Sequence, residues 1–345
     1  LNENSMKNLR IFILFLFVLT ISIFSCSKDL VINIEEEILS IPEGFPSINF
    51  PSGNEFTKER WLLGKKLFYE TKLSKSNTIS CGSCHKPELF FSDNVAMSAG
   101  DNFEEGTSNV PTLINLAYNP YYTRAGGVPT LEMQVLVPIQ EHNEFNHNIV
   151  EISAELNANV EYHNDALKCY GREFDPFVLT RAISNFERSF LSGNSRFDKY
   201  FFQNNNTALT QNERNGFTLF MSNKTNCSQC HTGFNFTNYA FENNGLYEIY
   251  ADSGRMRLTK LESDRGLFKV PTLRNIEFTA PYMHDGSIQT LEEIIEHYNN
   301  GGQNHKNKSE FIKPLHLTSQ EKQDLVSFFK ALTDYTFLDN DKFKQ

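Results

Sequence analysis

The sequence is poor in several things, and each shortage narrows what the chain does. It carries no basic stripe: 32 Lys and Arg against 42 Asp and Glu leave a formal net charge of −10, with both signs mixed along the chain. A nucleic-acid footprint needs clustered positive charge, so that class of partner is excluded. The balance suits a soluble body that meets cationic partners. No apolar run is long enough to cross a bilayer comfortably. The longest, Ile11 to Phe24, has 14 residues, short of the roughly 20 that a spanning helix needs. Strand-like alternation is sparse, which predicts a mainly α fold with long loops. Tryptophan is almost missing, with Trp61 alone, whereas 31 Phe and 13 Tyr provide aromatic wall for a group larger than any side chain. At 345 residues the chain has room for two domains, each with its own core.

The N-terminal run reads as an address. Lys7 and Arg10 precede it, and its length matches the core of a signal peptide. Met6 reads as the natural start. The run ends in Ile23-Phe24-Ser25-Cys26, which resembles a bacterial lipobox with lipid destined for Cys26; ordinary secretory cleavage nearby is the rival. Either way the expected location is the periplasm or cell envelope, with the membrane touched through the lipid anchor only. Residues 1–26 are thus read as signal peptide. Residues 27–54, punctuated by Pro42, Pro46 and Pro51 and carrying Glu35-Glu36-Glu37, are read as a tether.

Helical periodicity dominates after the tether. Trp61, Gly64, Leu67 and Phe68 recur at helical spacing, and Val178, Ala182, Phe186 and Phe190 keep a four-residue step. Thr210-Gln-Asn-Glu213, Thr290-Leu-Glu-Glu293 and Thr318-Ser-Gln-Glu321 read as capping boxes. The last opens an amphipathic helix through Leu325, Phe328, Phe329 and Leu332.

The cysteines carry the chemistry. Cys81-Gly-Ser-Cys84-His85 and Cys227-Ser-Gln-Cys230-His231 stand 146 residues apart, each after a helix and a short polar loop. Two thiols at this spacing can each add to one vinyl group of a haem, and the adjacent imidazole can then hold the iron. A four-cysteine zinc site separates its pairs by roughly 12–20 residues, and neither zinc nor disulfides explain a histidine after both pairs. The reading is two covalently bound haem c groups. Cys169 is left over and reads as a small buried hydrophobe. The fold expected is two c-type cytochrome domains, residues 55–205 and 206–345, each around one haem. They meet near Gln203-Asn204-Asn205-Asn206.

From about Phe56 to the C-terminal helix the chain resembles the bacterial dihaem cytochrome c peroxidases and their relative MauG. The resemblance rests on the order and spacing of several segments. They are Leu63-Gly-Lys-Lys-Leu-Phe68, Asn109-Val-Pro-Thr112, Phe186-Glu-Arg-Ser-Phe190, Val270-Pro-Thr-Leu-Arg-Asn275 and Thr279-Ala-Pro-Tyr-Met-His-Asp-Gly286. The resemblance implies that the haem of His85 is the peroxide site and that the haem of His231 stores or relays an electron. It puts the family's catalytic glutamine and glutamate on Gln134 and Glu144, with Pro138 in the pocket wall. A carboxylate suits the task, because splitting peroxide needs a base that takes a proton from one oxygen and returns it to the other. Tyr298, 17 residues after Pro281, falls where these peroxidases place a methionine and MauG a tyrosine as the second iron ligand. Met283 is the rival ligand, and His284 is expected to line the same haem. Asn109, Thr279 and Pro281 match a calcium site whose oxygen donors suit a hard cation.

Two family features are missing. The tryptophan between the haems aligns with Arg124, leaving Tyr121 and Tyr122 as neighbouring aromatics. The loop Ser98-Ala-Gly-Asp-Asn-Phe103 lacks the histidine that caps the peroxide haem before reduction, so the His85 iron is expected to stay five-coordinate without reductive activation. His142, His147, His163, His297, His305 and His316 read as surface or capping residues. The leading expectation is a dihaem peroxidase that reduces hydrogen peroxide with electrons from a small cytochrome or copper protein. The alternatives are a MauG-like oxidase of a protein or small organic substrate, and an electron carrier without catalysis.

Overall fold

The computed structural model describes residues 38–345; the expected signal peptide, the Cys26 lipidation site and the first part of the tether lie outside them. The described chain is mainly helical. Its only named strands are Phe241–Glu242 and Phe268–Lys269, a two-residue antiparallel pair. Between Cys84 and Leu131 the chain makes only short 3-10 turns.

Two helix pairs organise the body, and they are built alike. Helix Lys58–Phe68 starts at Thr57, whose hydroxyl accepts from Arg60 N, and buries Trp61, Leu63, Gly64, Leu67 and Phe68. It packs on helix Pro176–Glu187, with Gly64 at the crossing; a Cβ there would collide with the carbonyl oxygen of Ala182. Helix Gln211–Phe220 meets helix Ser319–Ala331 in the same way, with Gly216 at the crossing against the carbonyl of Asp324. Only glycine permits such an approach of one helix to the backbone of another.

The likeness extends into the loops. Asn115 and Asn275 both take left-handed backbone angles, φ 60° and 59°. Their amides donate to the carbonyls of Phe190 and Leu332, at the ends of the paired helices. Tyr122 and Tyr282 each donate to a carbonyl six residues back, Leu116 O at 3.3 Å and Ile276 O at 2.9 Å.

Each helix pair supports an aromatic core. The first gathers Trp61, Phe68, Phe91, Phe186 and Phe190, and the second Phe220, Phe236, Leu325, Phe328 and Phe329. Phe91 stacks on Phe190 at 3.8 Å and 7°. Fully burying one such ring contributes about 1.5–3 kcal/mol, so these side chains carry much of the driving force. The C-terminal stretch returns to the first core, where Phe337 and Phe343 are buried.

Three expectations change. Residues 38–54, read within the tether, lie against the body. Phe45 sits 4.7 Å from Phe234, and Asn54 is fully buried and donates to Glu132 and Ser184. The periodic Phe190 falls beyond the end of its helix at Glu187. His147 and His305 are buried, not superficial; His147 Nδ1 accepts from Asn148 N, and His305 Nδ1 meets Asn243 Nδ2. The capping boxes at Thr210, Thr290 and Thr318 form as expected.

Candidate functional site

Both Cys-x-x-Cys segments form a single helical turn, Cys81–Cys84 and Cys227–Cys230, with the following histidine as C-cap. The turn closes when His85 N donates to Cys81 O at 2.8 Å and His231 N to Cys227 O at 2.9 Å. Each imidazole is fixed by its own loop: His85 Nδ1 lies 2.8 Å from Phe91 O and His231 Nδ1 lies 3.0 Å from Phe236 O. A carbonyl only accepts, so Nδ1 carries the proton and Nε2 keeps a lone pair for a metal. Burial lowers the affinity of both rings for a second proton, with His231 brought down to about 4. The five described cysteines are free thiols, and burial raises the pKa of all four in the two motifs. Among the described residues, no group of three or more His, Cys, Asp or Glu is arranged to hold a metal ion.

Around His231 opens a cavity of about 370 Å³, lined by Cys227, Cys230, Tyr298, Met283 and His284 among others. That volume lies in the range of cofactor sites, and its wall is mostly apolar with a few convergent polar groups. Thiols to anchor a porphyrin, an imidazole with a free lone pair and an apolar slot fit a haem. Helix Leu291–Asn299 turns Leu291, Ile294 and Ile295 into the second core, and Tyr298 extends the same face into the cavity. Burial pushes the Tyr298 hydroxyl up to about 12, a hydrogen bond from Asn244 opposes, and both Cys227 and Cys230 bear on it. Asn244 Nδ2 also donates to Met283 Sδ at 3.2 Å, so the two rival ligands share one neighbour. His284 stacks on Phe268 at 4.2 Å and 23°.

At the first motif, Glu144 lies near enough to raise the pKa of both Cys81 and Cys84. Its loop is braced on both sides. Asp101 N donates to Glu144 O at 2.6 Å, and Phe145 N donates to Pro138 O at 3.0 Å. The backbone at residues 143–144 presses on Gly100, where no Cβ would fit. Glu144 is exposed by area, yet the chain crowding its carboxyl, with Glu141 beside it, raises its pKa above the ordinary 4.5.

Gln134 closes helix Leu131–Gln134 and lines the cavity, where its Oε1 is buried without a hydrogen-bond partner. A buried acceptor left unpaired costs free energy. The helix is pinned by Glu132, which takes both arms of Arg188 at 2.7 and 2.9 Å and a bond from Asn54 at 2.8 Å. Burial opposes, but Arg188 and Asn54 bring the Glu132 carboxyl down to about 2. No direct contact joins Gln134 to Glu144 in the structure.

Two residues, Glu187 and Lys269, were not singled out from the sequence, and a third, Arg124, takes a place the sequence did not suggest. Glu187, next to Arg188, is buried at 9% exposure, and burial drives its carboxyl up to about 8. Its signal lay in the Phe186-Glu-Arg-Ser-Phe190 segment. There Arg188 holds Glu132 and Ser189 takes the Trp61 Nε1 at 2.7 Å, which leaves Glu187 without an assigned partner. Lys269 lines the cavity, lowered to about 8 by burial and by Arg124. Arg124, seen in sequence only as the replacement for an aromatic, donates through Nη2 to Asn109 O at 2.8 Å and to Asn109 Oδ1 at 3.2 Å. Asn109, Thr279 and Pro281 line the same cavity as Arg124.

Comparison with known proteins identifies the family. The family described as di-haem cytochrome c peroxidase matches residues 58–207. The chain is 32% identical over 291 residues to the methylamine utilization protein MauG of Methylorubrum extorquens, covering 83% of this chain and 81% of that protein. It is 35% identical over 278 residues to the cytochrome c551 peroxidase of Nitrosomonas europaea, covering 79% of each. Among solved structures, a MauG-like protein associated with microbial copper homeostasis aligns with a TM-score of 0.84 at 31% identity, over 88% of this chain and 98% of that one.

Proposed function

Because this chain belongs to the di-haem cytochrome c peroxidase family, in which MauG also falls, we propose that it is an exported peroxidase. It reduces hydrogen peroxide to water with electrons from a small cytochrome or copper protein. The balance is one H₂O₂, two electrons and two protons to two waters. Cys81 and Cys84 would anchor one haem with His85 on its iron, and Cys227 and Cys230 the other with His231. The repeated helix pairs and their separate aromatic cores support a division into haem segments at 55–205 and 206–345. When bound, the two irons supply the electrons and the Lewis-acid position that peroxide needs.

The chain's own residues manage the protons. Glu144, with its affinity for a proton raised, takes one from the nearer oxygen of peroxide and delivers it to the departing oxygen. Gln134 lines the cavity around His231 and not the Glu144 loop; its part in orienting peroxide is proposed from the family resemblance. Tyr298 would be the second residue to hold the iron of the His231 haem, and its place in the cavity wall supports that role. Tyr122 is the better aromatic replacement between the haems, since it is buried and lines the cavity, whereas Tyr121 stacks on Phe241 at 5.2 Å.

The observation that carries this reading is Glu144 on a doubly braced loop, near enough to the first motif for its charge to act on both thiols. Steady-state peroxide consumption with a reduced small cytochrome tests it. Glu144→Gln is expected to lose about 10²–10⁴-fold in kcat, and full activity in the variant would sink the mechanism. A second reading, oxidation of a side chain on another protein, gains from Tyr298 and from the likeness to MauG. Peroxide consumed only when such a protein is present would favour it. Among the described residues no helix is long and apolar enough to cross a membrane; export and lipidation at Cys26 are proposed from the N-terminal segment alone.

A further inference from the structure

Two cations stand in the wall of the His231 cavity without an acidic partner. Arg124 spends Nη2 on the two oxygens of Asn109, and its Nε is buried and unpaired. Lys269 spends Nζ on Tyr121 O at 3.0 Å, while its backbone N donates to Arg124 O at 2.8 Å. Glu242 lines the same cavity, on the strand paired with that of Lys269, but forms no ion pair with either cation. Asp285 accepts from the Tyr247 hydroxyl at 2.6 Å and from Ser287 N at 3.1 Å, and acts on Arg124 only at a distance, as does Asp252. Uncompensated positive charge in a water-poor wall calls for an anion.

One of the two oxygens that Arg124 grips, the side-chain Oδ1 of Asn109, is among those expected to bind calcium, with the backbone carbonyls of Thr279 and Pro281 as the others. A calcium ion takes 6–8 oxygens at about 2.3–2.6 Å, and it would have to share Asn109 Oδ1 with a guanidinium already bonded to that residue through both its oxygens. None of Asn109, Thr279 and Pro281 brings a negative charge to offset the repulsion between the two cations. The residues present therefore do not fit calcium.

We propose that the Arg124 guanidinium replaces calcium as the cation at this site, and that its free Nε, with Lys269 alongside, binds a carboxylate in the cavity. The carboxylate that a covalently attached porphyrin brings is its propionate. This rests on the haem reading of the His231 motif and not on peroxide chemistry. One residue then performs two tasks. It ties the Asn109 strap to the loop at 121–127, and it places positive charge beside the second haem. Arg124 acts here as a positioning residue.

The test uses the holoprotein with both haems attached. Calcium content is measured by elemental analysis after dialysis against millimolar calcium and then buffer. Melting is followed in calcium and in EGTA, and the potential of the second haem by redox titration. The wild type is expected to hold far less than one calcium per chain and to melt at the same temperature in both solutions. One tightly held ion whose removal lowers the melting temperature would overturn the proposal. Arg124→Gln is expected to melt higher in calcium than in EGTA and to lower the potential of the second haem, while Arg124→Lys keeps the potential near that of the wild type. If Arg124→Gln does not accumulate, Lys269→Gln must still lower that potential. Potentials unchanged in the glutamine variants would refute the carboxylate contact. None of these readouts uses peroxide, so the proposal fails or survives separately from the peroxidase reading.

Discussion

Glu187 gives a quantitative test of how the first core treats charge. Its carboxyl is buried, and the adjacent guanidinium of Arg188 is committed to Glu132 through two hydrogen bonds. Burial raises its pKa, Arg188 opposes, Glu132 adds, and the result is about 8 against an ordinary 4.5. A raised folded pKa means that the folded chain keeps a proton which the unfolded chain releases between those two values. Stability from this group is therefore complete below pH 4.5 and is lost as pH rises towards 8. At about 1.36 kcal/mol per pH unit, crossing that window removes roughly 5 kcal/mol. Glu187→Gln keeps the shape and has no proton to lose. Urea unfolding of the holoprotein at a series of pH values, read by near-UV circular dichroism, measures the effect. The wild type should lose stability relative to Glu187→Gln with a slope close to one proton across the window. Parallel curves for the two proteins would refute the argument that Arg188 is spent on Glu132.

Other substitutions probe the frame and the second haem. Arg274 and Asp198 form a buried two-armed pair at 2.8 and 2.9 Å, so Arg274→Ala should cost about 3–5 kcal/mol in urea unfolding. A loss under about 1 kcal/mol would mean that the pair relaxes to solvent. Gly216→Ala drives a methyl into the carbonyl of Asp324 and should cost about 1–3 kcal/mol of overpacking, seen as a lower Tm. Tyr298→Phe should raise the potential of the second haem by removing a hard anionic donor, while Met283→Leu leaves it nearly unchanged. The opposite pattern would make Met283 the ligand. Because burial and Glu141 raise the Glu144 carboxyl, the acid limb of peroxide turnover should lie above pH 4.5 and vanish in Glu144→Gln.

What could be read from the sequence came from local codes. The haem motifs need only five consecutive residues, and the capping boxes at Thr210, Thr290 and Thr318 need four. The inward face of Leu291, Ile294, Ile295 and Tyr298 arises from helical period alone. What escaped depends on contacts between distant segments. A carboxylate at the end of a helix reads as a solvated residue, so the burial of Glu187 was invisible until the fold was in hand. Pro42 and Pro46 suggest a tether, but the pocket that seats Phe45 is made by Tyr118, Phe202 and Phe234, all of them distant in the chain. Arg124 looked like the loss of an aromatic, and only the fold brings its guanidinium onto Asn109.

The central claim is that a haem held by Cys81, Cys84 and His85 would take peroxide, and that one held by Cys227, Cys230 and His231 would supply a second electron to it. Low-temperature EPR of the ferric holoprotein, before and after one equivalent of peroxide, tests it most directly. The account predicts one high-spin and one low-spin signal, both consumed by peroxide. Two low-spin signals indifferent to peroxide would contradict it and make the chain an electron carrier.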